Sequence, residues 1–225
     1  MKKSLTLIAS LLALSSMTAN AELIAKDWAS NGDDLLSYDT ASGLNWLDLS
    51  LTIDSSFTEI ETRLDTDLIG WRLPSKVEVA SLFTSAFSEN IAFNADGSKW
   101  VYSTGNASNV NSYNDAENFA SLFGNYGLNG TKYAYGLYKD DTDTIRMTGA
   151  YLDSTDGARI YGMDYTNTYE HLENAGHLQF GVLLVANNMN LPEAPTELTQ
   201  VPVPASAGLL ALAMFGFSAR RKSNC

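Results

Sequence analysis

Two apolar runs, one at each end, decide how much of this chain is free to fold in water. The first, Leu5 to Leu14, follows Lys2 and Lys3 and precedes Ala19-Asn20-Ala21. A basic start, a short apolar stretch and a small-residue site are the three parts of a secretory signal. The stretch is shorter than the roughly 20 apolar residues a spanning helix needs. Residues 1–21 therefore read as a signal peptide, with Ala19 and Ala21 forming the signal peptidase site. The second run, Ala205 to Ala219, follows Pro202 and Pro204 and is closed by Arg220, Arg221 and Lys222. Its length is near the lower limit for crossing a bilayer, Gly208 and Gly216 suit a membrane helix, and the basic end favours the cytoplasm. A C-terminal transmembrane helix is expected, with everything before it held outside.

Charge separates the middle from both ends. Five of the 14 basic residues lie in the terminal runs, so nine face all 26 acidic residues between them, a net charge of about −17. Phosphate contacts need Lys and Arg, so no nucleic-acid partner is expected; an acidic surface gives solubility. The single cysteine, Cys225, lies beyond the basic cluster. The middle thus has no disulfide, no thiol nucleophile and no Cys-based metal site. Residues 22–187 suffice for one domain with its own core, and residues 188–200, polar with two prolines, read as a linker to a segment at 201–225.

Local patterns predict a mixed domain. Leu35 to Tyr38 and Leu44 to Leu49 read as a hairpin across the turn formers Asp39 to Gly43. Ser56 with Glu59, and Ser75 with Glu78, have capping-box spacing. The first pair precedes Phe57, Ile60 and Leu64, and the second precedes Val79, Leu82, Phe83, Ala86 and Phe87 at helical intervals. A third helix is expected from an Asn114 cap through Phe119, Leu122 and Phe123 to a stop at Gly124. Beyond Lys132 the pattern turns to strands: 132–140, 144–152 and 158–165, the last two joined at Ser154 to Gly157. The apolar run at 179–187 reads as one central buried strand. The expected class is α+β, a single mixed domain without regular strand–helix alternation.

No constellation of side chains points to catalysis. His171 and His177 are the only histidines, neither stands near a Gly-x-Ser-x-Gly elbow, and both read as loop residues. Their spacing, with Glu170 and Glu173 nearby, matches no helical zinc site. Asp140, Asp141 and Asp143, and Asp153 with Asp156, offer calcium-type oxygens without the spaced ligands of an EF-hand, and read as solvated turns. No catalytic residue, metal ligand or cofactor is assigned. Of the tryptophans, Trp46 and Trp71 fall in core-like segments, while Trp100, with Tyr113 and Tyr126, is the candidate for ligand contact.

The order Val201-Pro202-Val203-Pro204, apolar helix, Arg220-Arg221-Lys222 resembles a PEP-CTERM sorting signal in a Val-Pro-x-Pro form, with Val203 where the family has Glu. The resemblance implies a Gram-negative bacterium and processing by an exosortase, a transpeptidase-like membrane protease. It also implies a final place at the cell surface or outside it, alongside exopolysaccharide. The segments 38–50, 70–79 and 181–187 resemble the Lcl/DUF1566 family, which implies a fold like those of C-type lectins and formylglycine-generating enzymes. Trp71-Arg72-Leu73-Pro74 then reads as a folding signal, with Arg72 paired locally. The expected role is a non-enzymatic surface or matrix protein associated with exopolysaccharide, held by the membrane through its tail until processed. The alternatives are a carbohydrate- or calcium-binding lectin-like module and a secreted hydrolase.

Overall fold

The computed structural model describes residues 21–87, 91–124, 127, 131–153 and 155–187. The signal peptidase site at Ala19, Tyr126, the linker, and the tail from Val201 through Arg220, Arg221 and Lys222 lie outside the described residues. Ala21 is described and exposed.

In chain order the elements are β1 (Leu23–Lys26), β2 (Leu36–Asp39), β3 (Leu44–Leu47), α1 (Phe57–Arg63), α2 (Lys76–Ala86), β4 (Ser98–Tyr102), α3 (Ala107–Leu122), β5 (Lys132–Lys139), β6 (Ile145–Leu152), β7 (Gly157–Tyr161), β8 (Phe180–Val182) and β9 (Val185–Asn187). Short 3₁₀ turns occur at Leu49–Leu51 and Glu170–Leu172. They build an antiparallel four-stranded sheet ordered β1-β2-β3-β9 and a mixed five-stranded sheet ordered β4-β7-β6-β5-β8. The α+β class and the single domain expected from the pattern are what the chain adopts.

Local chemistry starts the first two helices where expected. Ser56 Oγ accepts from the Glu59 N–H at 3.1 Å. At α2 the exchange is reciprocal: Ser75 Oγ accepts from the Glu78 N–H at 3.3 Å, and Glu78 accepts from the Ser75 N–H at 2.8 Å. Glu78 also takes Arg72 Nη1 at 2.9 Å, so the arginine of the Trp-Arg-Leu-Pro segment is paired with the cap it precedes. The turn after β2 is tied to α2 by buried Asp39, whose oxygens accept from Ala41 N–H, Ser42 Oγ and, at 2.8 Å, Ser85 Oγ.

The third helix departs from expectation at its start. Its cap is Asn106, accepting from the Asn109 N–H at 2.9 Å, and Asn114 lies inside the helix. Asparagine caps readily but also sits within helices, so several asparagines in succession leave the start ambiguous. Tertiary contact decides it: Asn109 Oδ1 accepts from the Tyr102 N–H of β4 at 3.1 Å, holding the first turn against the sheet. The expected stop is found, with Gly124 at φ +88°.

The run 179–187 also differs, being two short strands and not one central strand. β8 runs parallel to β5 at the end of the larger sheet, and β9 runs antiparallel to β3 at the end of the smaller one. The hand-over takes two residues: the Leu183 N–H donates to Leu137 O in one sheet, and Leu184 O accepts from the Leu47 N–H in the other. Arg72 bridges the far side of Val185. Unbroken hydrophobicity is explained by alternation between two cores. Leu183 and Val185 join α2, α3 and Trp46, whereas Val182, Leu184 and Ala186 join α1, Trp71, Leu137 and Met147. Gly136 makes room for this closure, since a Cβ there would stand 2.6 Å from Leu183 Cγ.

One face of the larger sheet is covered by α3, whose Ala116, Phe119, Ala120 and Phe123 pack with Ala134, Ala150, Ala158 and Ile160. Small residues on three neighbouring strands let the helix approach closely. The opposite face carries the other parity of each strand and is rich in aromatic rings.

Candidate functional site

The register of the larger sheet sets four side chains in one row across four strands. Trp100 of β4 stands opposite Arg159 of β7, Arg159 opposite Tyr151 of β6, and Tyr151 opposite Tyr133 of β5. Because partners in register project to the same side, this row lies on the face away from α3. Two residues along each strand a second row follows: Ser98, Tyr161, Gly149, Tyr135 and Phe180. Gly149 is the gap in it. Its φ is +136°, and a Cβ there would fall 1.9 Å from Ala134 O, so no other residue fits without shifting the strand.

The first row is the more open of the two: Trp100 is exposed and Arg159, Tyr151 and Tyr133 are half-buried, whereas in the second Ser98, Tyr161, Gly149 and Tyr135 are buried and Phe180 is half-buried. Trp100 is 37 % exposed, and Tyr102 beyond it 46 %, while Tyr135 and Tyr161 are 8 % exposed each. Trp100 and Tyr151 meet at 6.1 Å with planes 86° apart; Tyr151 and Tyr133 lie 5.1 Å apart and tilted by 34°. Tyr135 supports the row from below, edge-on to Tyr133 at 5.6 Å and to Tyr161 at 5.4 Å.

Arg159 sits among these rings, its guanidinium carbon 6.0 Å from the Trp100 centroid and 5.1 Å from that of Tyr161. Three hydrogen bonds fix it: Nε to Ser98 Oγ at 3.0 Å, and Nη2 to Ser98 Oγ at 2.7 Å and to Asp96 Oδ2 at 2.8 Å. Asp96 is held below the usual carboxylate range by the Ser98 hydroxyl and N–H, with Arg159 adding to the effect. Burial pushes the phenols of Tyr151, Tyr135 and Tyr161 up, so all three remain neutral donors near neutral pH. Flat rings, neutral hydroxyls and a neutralised guanidinium can stack on and hydrogen-bond to an uncharged polar molecule; the row holds no nucleophile paired with a base.

Other residues singled out in the sequence separate clearly. Trp46 and Trp71 are buried, and neither indole N–H has a hydrogen-bond partner among the described residues. Tyr113 belongs to α3 and is half-buried against the core that this helix covers, on the other side of the sheet from the row. His171 and His177 are both exposed; His177 Nδ1 accepts from the Gln179 N–H at 3.2 Å. Glu170 accepts from the Ile145 N–H at 3.0 Å and so anchors the start of β6. Among the described residues no three of His, Cys, Asp and Glu gather as a metal would need.

The acidic loops are turn chemistry. Asp140 Oδ1 accepts from the N–H groups of Thr142 and Thr144 while Oδ2 pairs with Arg146 Nε at 2.9 Å. Asp153 Oδ1 likewise accepts from the N–H groups of Thr155 and Gly157. Asp143 and Asp156 take the positive φ values, +64° and +56°, that these turns require. Beside the first loop a cleft of about 300 Å³ is lined by Lys76, Tyr138, Asp140, Arg146, Met163 and Asp164. Its tyrosine is committed, donating to Met163 O at 3.3 Å, and burial pushes its phenol up to about 12.

Sequence reasoning found Trp100 but not Tyr133, Tyr151 or Arg159. The available signal was strand parity, Tyr133 and Tyr135 sharing one face, but the row appears only once the register of four strands is known.

Among the described residues no helix is long and apolar enough to cross a membrane. No curated protein and no solved structure matches the chain. The PEP-CTERM protein-sorting motif matches residues 200–222, so the chain carries the C-terminal sorting signal of an exported protein, a substrate for an exosortase-type protease with its destination at the cell surface.

Proposed function

We propose that this is a non-enzymatic surface or matrix protein that an exosortase-type protease releases from, or reattaches at, the envelope, and that works within an exopolysaccharide layer. The observation that carries the reading is the sorting motif at residues 200–222. An acidic domain without cysteine is suited to an extracellular setting, because it needs no redox partner and stays soluble. The lectin-like reading of the domain rests on the resemblance of three segments and is favoured by the open aromatic row. Mass spectrometry of the protein from cells with and without the sorting protease tests the assignment. A mature form starting at Glu22 and lacking the apolar tail is expected only when the protease is present; an intact tail in both strains would defeat it.

A further inference from the structure

We infer that the row Trp100–Arg159–Tyr151–Tyr133 is a binding face for an uncharged polysaccharide of gluco-type pyranoses, a proposal that deepens the surface-layer reading above and rests on it. Three observations converge. The row crosses four strands, each about 4.8 Å from the next, so its contacts repeat along a line as the units of a linear glycan do. Its outer ring is exposed on an edge strand, while Tyr133 is fixed by Tyr135 and in turn packs on Tyr151, so the surface is organised before any ligand arrives. Its composition pairs ring faces, which stack on the axial C–H bonds of a pyranose, with hydroxyl and guanidinium groups that can reach equatorial hydroxyls.

Charge selects among glycans. Arg159, the cation of the row, is already paired with Asp96, and Asp153 lies close enough to Tyr151 to affect its phenol. With about 17 net negative charges on the segment between the terminal runs, a uronate polymer would be repelled, and the row has no unpaired cation to offset that. An uncharged chain meets no such barrier.

The test is affinity electrophoresis and tryptophan fluorescence titration of the full chain in detergent, with hydroxyethyl cellulose as the uncharged glycan and alginate as the polyanion. Binding to the first and little to the second is expected. Trp100→Ala and Tyr133→Ala each remove one ring and should weaken binding by about tenfold, whereas Trp100→Phe retains a ring and most of the affinity. Trp100 lies on an edge strand and is partly exposed, so its variants should melt close to the parent; Val77→Ala, exposed on α2 and outside the larger sheet, is the control. Equal binding to alginate, no binding to hydroxyethyl cellulose, or ring variants that bind like the parent would each overturn the inference. Absence of glycan binding with the tail still processed sinks this inference and leaves the sorting assignment; glycan binding with an unprocessed tail does the reverse.

Discussion

Glu78 joins a helix cap to an ion pair, and changing it to glutamine isolates the charge. In the folded chain Arg72 holds this carboxyl down to about 2 from an ordinary 4.5, with the Ser75 N–H and hydroxyl adding to the effect and burial opposing it. Fully shielded, that displacement would be worth about 3 kcal/mol. The Arg72 side chain is 47 % exposed, so solvent screening reduces the contribution to about 1–2 kcal/mol. A carboxyl depressed on folding stabilises above the unfolded value, and the effect is lost as pH falls from 4.5 toward 2. Glu78→Gln retains an oxygen for the Ser75 N–H but loses the charge. At pH 7 the variant should therefore melt a few degrees lower, at roughly 2–4 °C per kcal/mol for a domain of this size. Thermal unfolding followed by circular dichroism from pH 7 to pH 2.5 measures the difference. The two curves should converge as the medium becomes acid. A gap that stays constant with pH, or no gap at pH 7, would refute the linkage.

Gly149→Ala should destabilise the larger sheet by about 3 kcal/mol or more, since the new Cβ meets Ala134 O at 1.9 Å in a backbone region closed to alanine; urea unfolding measures it. Leu184→Ala, at a fully buried position of the hand-over, should cost about 2–5 kcal/mol by the same assay. Asp39→Ala leaves the Ser85 hydroxyl and the Ala41 N–H without their acceptor and should cost about 1–3 kcal/mol, whereas Asp39→Asn should recover part of it. Replacing Arg220, Arg221 and Lys222 together by glutamine should abolish processing of the tail in cells, read as retained mass at the C-terminus.

What the sequence disclosed was local, and what it withheld depended on distant partners. Ser56 and Ser75 could be assigned because a cap is chosen within three residues of itself. Asn114, with Glu117 three residues on, is the better cap by that rule, yet the helix starts at Asn106, where Tyr102 of β4 donates to Asn109 and holds the first turn. β1 and β4 went unread because edge strands of four and five residues with mixed burial carry no clear alternation. The row at the candidate site was invisible for a related reason. Its four members belong to four strands, and only their register makes Trp100 and Tyr133 ends of one surface.

The apolar run ending at Asn187 was read correctly as buried on both sides, yet its division between two sheets has consequences that a single strand would not have. Each sheet is finished by three of its residues, and each core takes alternate side chains from it. Loss of this run would therefore open both cores at once, although it is the last paired segment of the described chain.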